Sequence, residues 1–304
     1  MAASRPDPWS FLPPHQLQAM ARAWLDEDAP TFDPTSGIIG RAPRLAQLLC
    51  SSPGVLAGSP LAEAVFGVTG CEVTWRVAEG SPLPPQRTVV AEVKGPGASL
   101  LLAERVALNL LGRCSGVATV AAKAVSVAQG VQWGGVIAGT RKTTPGFRLA
   151  EKYALEVGGA DPHRHVLGGG GLLLLKDNHL AAARAPLEQV VEVARRAGGF
   201  TRRLGVECST QGEAMAAAGA GADIVLLDNF TPQELHATAA VVKAAHPRVT
   251  LEASGGINLE TLPQFLGPHI DVISMGCLTH SAPALDFSLR VLSPGEGDGD
   301  EGTR

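Results

Sequence analysis

Short apolar runs alternate with helical stretches from about residue 131 onward. The runs at 135–139, 172–175, 204–206, 223–227, 249–251 and 271–273 are followed, in turn, by helical spacing over 147–157, 187–197, 210–218, 232–245 and 259–266. Strand then helix at this interval predicts parallel strands with right-handed helical crossovers. Five or six such units predict a barrel-like α/β domain, over residues 117–280. Residues 1–116 mix element types. Leu17, Met20, Ala21 and Leu25 recur at helical spacing and predict a helix over 14–26. Runs rich in Val and Thr at 71–77 and 88–94 predict strands. A long apolar helix, from about residue 100 to the end of the 120s, leads into the second domain. A last helix, 283–291 within a segment 281–293, is expected to pack back on the N-terminal domain. Residues 294–304 are rich in Gly and acid without an apolar anchor, which predicts disorder.

Each predicted strand turns polar or Gly-rich at its carboxyl end. The ends read Thr140-Arg141-Lys142, Lys176-Asp177-Asn178-His179, Glu207, Asp228-Asn229, Ser254-Gly255-Gly256 after Glu252, and Ser274-Met275-Gly276. A single charge after a strand is usually a solvated loop residue. Six such ends in succession are a different matter, because in a barrel they converge on the mouth where sites sit.

The charge is divided along the chain. Arg141, Lys142, Arg148, Lys152, Arg164 and Lys176 lie between 141 and 179 with His163, His165 and His179, whereas Glu207 and Asp228 come later. Basic groups on one arc and carboxylates on the other suit an anionic ligand bridged by a divalent cation. Mg²⁺ favours one or two carboxylates, several waters and ligand phosphates. Arg148 and Lys152, four apart, read equally well as one solvated helix face. His163 and His165 lack a third ligand at fitting spacing, so anion contact suits them better than metal. Ser254-Gly255-Gly256 precedes a helix expected to open near Asn258, where small residues let backbone N–H groups approach a phosphate. Gly276 repeats the device, or is an ordinary tight turn. No phosphate-loop motif ending in Gly-Lys-Ser/Thr is present, and a strand follows the run Gly168–Gly171 rather than preceding it, so neither a nucleoside triphosphatase nor a dinucleotide site is indicated.

Composition narrows the partners. Aromatics are only 4% of the chain and the net charge is −4, which argues against a nucleic-acid surface. Five widely spaced cysteines, an odd number, suggest neither a disulfide framework nor a zinc site. The first ten residues lack the apolar run of a signal peptide, and no apolar run reaches the length of a membrane span. A reducing, cytosolic home and no membrane partner are the expectation.

The run Gly139-Thr-Arg-Lys-Thr-Thr-Pro-Gly146 resembles the signature loop of the quinolinate phosphoribosyltransferase family. So do Glu104-Arg105-Val-Ala-Leu-Asn109, His163-Arg164, Lys176-Asp-Asn-His179, Val206-Glu-Cys208, Leu227-Asp-Asn229, Glu252-Ala-Ser-Gly-Gly-Ile257 and Ile273-Ser-Met-Gly276, which occur in the family's order. The resemblance implies an N-terminal α/β sandwich and an incomplete (open) α/β barrel of parallel strands. It implies a decarboxylating transfer of ribose 5-phosphate from phosphoribosyl pyrophosphate to quinolinate with Mg²⁺, giving nicotinate mononucleotide for NAD synthesis. It also implies a homo-oligomer, a head-to-tail dimer or a hexamer, in which Arg105 reaches into the neighbour's mouth. Arg105, Arg141, Lys142, His163, Arg164 and Lys176 would then hold quinolinate and the pyrophosphate. Glu207 and Asp228 would face the ribose and metal, and Ser254, Gly255, Gly256 and Gly276 the 5′-phosphate. Lys142, Lys176, Glu207 and Asp228 would be the catalytic set. One departure stands out: His165-Val166-Leu167 and four glycines replace the family's Tyr-Asp and two glycines. The two extra residues bulge outward harmlessly, or they displace Lys176 or loosen the His163-Arg164 loop. A nicotinate-specific relative, a non-catalytic descendant and a generic phosphosugar-binding barrel are the competing readings.

Overall fold

The computed structural model describes residues 12–31, 34–162 and 171–293. His163, Arg164, His165, the glycines at 168–170 and the acidic tail 294–304 therefore lie outside the described residues. The chain divides into two compact units. One comprises residues 1–120, 149–158 and 282–304, and the other 121–148 and 159–281.

The chain opens with α1 (Pro14–Asp28), α2 (Thr35–Ile39), β1 (Pro43–Cys50), β2 (Gly54–Val55), α3 (Ser59–Val68), β3 (Glu72–Trp75), β4 (Pro82–Leu83) and β5 (Thr88–Pro96). It continues through α4 (Gly97–Gly130), β6 (Val136–Ala138), α5 (Arg148–Val157), β7 (Leu172–Leu175), α6 (Asp177–Ala183), α7 (Leu187–Gly198) and β8 (Arg203–Cys208). The remaining elements are α8 (Gln211–Gly219), β9 (Ile224–Asp228), α9 (Pro232–Ala245), β10 (Thr250–Ser254), α10 (Leu262–Phe265), β11 (Val272–Ser274), α11 (Cys277–His280) and β12 (Phe287–Val291).

The first unit is built on an antiparallel sheet of order β12-β1-β5-β3. Its core includes Leu48, Leu61, Val65, Phe66, Val90 and Val93, all fully buried. Two elements differ from expectation. The C-terminal segment is a strand and not a helix: Leu285, Phe287, Leu289 and Val291 alternate at period two, and β12 pairs Leu289 with Leu48. β1 itself is rich in Leu, Ala and Gln, which favour helix in isolation; strand partners on both edges override that preference. α4 is long and apolar enough to match a membrane span by length and composition. Leu100, Ala103, Ala107, Leu111, Cys114, Val117 and Ala121 along it are nevertheless fully buried in protein.

The second unit carries six parallel strands in the order β6-β11-β10-β9-β8-β7. β6 and β7 are the two ends of that order, so the barrel is open among the described residues; Asp161 bridges to Ala138 on β6. Side chains alternate across the sheet, and one parity decides the site. Val206, Val225, Leu227, Leu251, Ala253 and Ile273 are fully buried. The opposite parity ends in Lys176, Glu207, Asp228, Ser254 and Gly276. At the other end of the strands acids act structurally: Asp223 accepts from Leu204 N and Asp271 from Leu251 N, each at 2.7 Å, tying neighbouring strands together. A hydrogen bond there stabilises by about 1 kcal/mol.

Candidate active site

A cavity of about 260 Å³ opens at the carboxyl ends of the six strands. Its walls are the inward parity of each strand: Thr140 after β6, Leu174 on β7 and Lys176 just after it, Glu207 on β8, Leu226 and Asp228 on β9. Glu252 and Ser254 on β10, Ser274 on β11 and Gly276 just after it also line the cavity. Arg141 and Lys142 enter from the loop after β6. The basic residues thus follow the two end strands, β6 and β7, whereas the carboxylates come from β8, β9 and β10 between them. Residues after both end strands nevertheless line the same cavity, so the folded sheet and not the strand order gathers the basic arc.

The charges meet across the mouth. Lys176 Nζ donates to Glu207 Oε2 at 2.5 Å, and the Glu207 side chain is only 10% exposed. Asp228 Oδ2 accepts from Asn229 Nδ2 at 2.7 Å. Arg141 has a buried Nε without a hydrogen-bond partner among the described residues. Leaving a buried charged donor unsatisfied costs on the order of 1–3 kcal/mol, a cost that an anionic ligand would remove. Arg148, open above to a solvated reading, is instead half-buried and points at this loop: its Nε donates to Thr143 Oγ1 at 2.9 Å. Lys152 is buried, so the two do not form a solvated face.

The glycines have separate reasons. Gly255 takes φ +98° and Gly256 φ +66°, the left-handed region that a Cβ disfavours. A Cβ on Gly255 would stand 2.5 Å from Asn229 N, and Asn229 itself adopts φ +60°. A Cβ on Gly276 would stand 2.9 Å from Lys142 Cδ, so the missing side chain makes room for the lysine stem. The helix expected to open near Asn258 is a single turn starting at Leu262. Asn258 Oδ1 instead accepts from Glu260 N and Thr261 N, folding a local turn, so a helix terminus behind Ser254-Gly255-Gly256 is not what the structure builds.

Two family models cover most of the chain. The quinolinate phosphoribosyl transferase N-terminal domain matches residues 31–115 and the C-terminal domain of the same family matches 117–290. The chain belongs to the quinolinate phosphoribosyl transferase family. The rat protein named nicotinate-nucleotide pyrophosphorylase [carboxylating] is 56% identical over 286 residues, 94% of each chain. The human protein of that name is 57% identical over 283 residues, 93% of this chain and 94% of its own. The crystal structure of NadC from Streptococcus pyogenes superposes with a TM-score of 0.83 at 34% identity, covering 93% of this chain and 99% of that one.

Within this family member the cavity gathers Arg141, Lys142, Lys176, Glu207, Asp228, Ser254, Gly255, Gly256 and Gly276 as the sequence suggested. Lys176 stands in the mouth despite the added glycines before it. Arg105 is exposed on α4 in the other unit and does not line this cavity. His163 and Arg164 lie outside the described residues. The strand-end reading named Thr140, Glu252 and Ser274 but assigned them no role, and it overlooked Leu174, Leu226 and Ile257 as lining residues. Parity was the available signal for Leu174, Leu226, Glu252 and Ser274, since each sits two positions before a polar strand end. Cys208 is next to Glu207 but faces away; burial pushes its thiol up to about 12, which removes it as a nucleophile.

Proposed function

We infer that the chain transfers a 5-phosphoribosyl group from phosphoribosyl pyrophosphate to quinolinate, releasing pyrophosphate and CO₂ and leaving nicotinate mononucleotide. The observation that carries this reading is one cavity holding Arg141, Lys142 and Lys176 opposite Glu207 and Asp228, with the Ser254–Gly256 turn and Gly276 at the same mouth. The family membership and the carboxylating relatives support it.

The steps follow from charge. The C1′–oxygen bond to pyrophosphate breaks, negative charge develops on the leaving oxygens, and Lys142 and Lys176 neutralise it. Glu207 and Asp228 face the positive charge that spreads over the ribose ring. The pyridine nitrogen supplies its own lone pair to C1′, so no general base is needed. The bond to the 2-carboxylate then breaks; CO₂ leaves without the electron pair, which the cationic ring stabilises until a proton from solvent replaces it. Arg141 holds a carboxylate through its guanidinium fork, joined in this reading by His163, Arg164 and a neighbour's Arg105 in a dimer or hexamer.

Magnesium fits the donor set. The lining carboxylates supply hard oxygen ligands, and among the described residues no cluster of three or more His, Cys, Asp or Glu forms a closed metal cage. Glu207 and Asp228 would hold the ion through water, together with the substrate's phosphates. When bound, it supplies further neutralisation of the pyrophosphate. Five unpaired cysteines support a reducing, cytosolic setting.

The test is CO₂ and mononucleotide formation from quinolinate, the sugar donor and Mg²⁺, with nicotinate as the control substrate. Arg141→Ala and Arg105→Ala should each lower turnover at least about tenfold, since one charged contact contributes roughly 1.5–3 kcal/mol. Unchanged kinetics in both, or preference for nicotinate, overturns the reading. Mixing Arg105→Ala with Lys142→Ala protein should restore activity if mouths are completed between copies.

A further inference from the structure

The loop after β6 carries both Arg141 and Lys142, and within it Lys142 N donates to Thr140 Oγ1 at 3.0 Å and Thr143 N to Arg141 O at 2.9 Å. Side chains from two helices also hold its backbone and Thr143. Thr279, fully buried in α11, donates from Oγ1 to Lys142 O at 2.7 Å, shorter than its 3.1 Å approach to Gly276 O within its own turn. Arg148, the first residue of α5, donates from Nε to Thr143 Oγ1 at 2.9 Å and from Nη2 to Arg141 O at 3.4 Å. The carbonyls of both basic residues are therefore anchored from outside the loop. The Lys142 stem meanwhile crosses the space where Gly276 lacks a Cβ, so a small shift of the loop moves the ammonium relative to the mouth.

We propose that Thr279 and Arg148 are positioning residues for the transfer reaction, clamping the loop backbone so that Lys142 and Arg141 project into the cavity at fixed places. The proposal rests on the function inferred above. Arg148 spends its fork on a hydroxyl and a carbonyl, so its positive charge is not consumed by a carboxylate in those contacts and adds to the basic arc. A misplacement of about 1 Å costs on the order of a hundredfold in rate.

Thr279→Val keeps the shape and removes the donor, and Thr279→Ser keeps the donor. The valine variant should lose about tenfold or more in kcat, whereas the serine variant should stay within about twofold of the parent. The loss runs through Lys142. In a Lys142→Ala background, Thr279→Val should therefore cost less than about twofold, a non-additivity that a general loss of stability would not produce. Arg148→Gln should raise the KM for quinolinate about tenfold and do nothing further in an Arg141→Ala background; this second cycle decides the matter if the valine variant does not fold. Multiplicative losses in the double variants, or parental kinetics in Thr279→Val and Arg148→Gln, overturn the clamp. Parent protein that forms no mononucleotide in the same assay overturns the inferred function instead.

Discussion

Gly255 and Gly256 are adjacent, both have positive φ, and the structure separates their consequences. Alanine at Gly255 would pay for φ +98° and for a Cβ 2.5 Å from Asn229 N and 2.9 Å from Asn229 Cα. The backbone term is about 1–2 kcal/mol. The clash is with main chain, about 1 Å inside normal contact, and overpacking of that kind costs about 1–3 kcal/mol. Together they predict roughly 2–5 kcal/mol, shared between destabilisation and displacement of the turn that lines the mouth. At Gly256 a Cβ meets nothing within 4 Å and φ is +66°, so only a backbone term of about 1 kcal/mol remains. Thermal melts and initial rates against the sugar donor, at saturating quinolinate, read both quantities. Gly255→Ala should lower Tm by roughly 4–10 °C and kcat/KM for the donor by about tenfold to a hundredfold. Gly256→Ala should lower Tm by only a few degrees, with donor kinetics within about fivefold. Equal effects at the two positions, or a harmless Gly255→Ala, would refute the steric reasoning.

Two further predictions concern the first unit. Arg113 donates from Nε and Nη2 to Glu151 Oε1 at 3.1 and 2.8 Å, and Glu151 is fully buried, so Arg113→Met leaves a buried carboxylate without that partner. Denaturant unfolding should show a loss near 3 kcal/mol, and a change under about 1 kcal/mol would contradict this account of the pair. Burial holds the Glu79 carboxyl above its usual 4.5, partly offset by hydrogen bonds from Ser59, Tyr153 and Gly58. A raised folded-state value means the native chain binds the proton more tightly. The stability this confers is present below the unfolded value and lost as pH rises through the folded one. Melts of the parent should therefore fall relative to Glu79→Gln as pH rises from about 4.5 toward neutrality, and parallel curves would exclude the linkage.

How far the sequence reaches is visible in single elements. The short apolar and helical runs placed β7 at Leu172–Leu175 and α9 at Pro232–Ala245, because local pattern and tertiary packing agree there. Each strand end named in advance sends at least one residue into the same cavity, since every parallel strand delivers its carboxyl end to the same side. The same reading mistook β12 for a helix and passed over β1, because each is fixed as a strand by the other across some 240 residues of chain. Glu252 was named at its strand end but given no role in the mouth, since parity needs the exact strand register.

The sequence by itself determined the alternation of strand and helix, the polar identity of each strand end and the family, because these are local in the chain. Only the tertiary structure decided that the basic strands β6 and β7 stand at the two ends of the sheet order, that Thr279 reaches Lys142 from 137 residues away, and that Arg148 turns toward the loop rather than to solvent. Those facts depend on which elements pack side by side. Sheet order and side-chain direction are properties of the folded whole, and no single segment carries them.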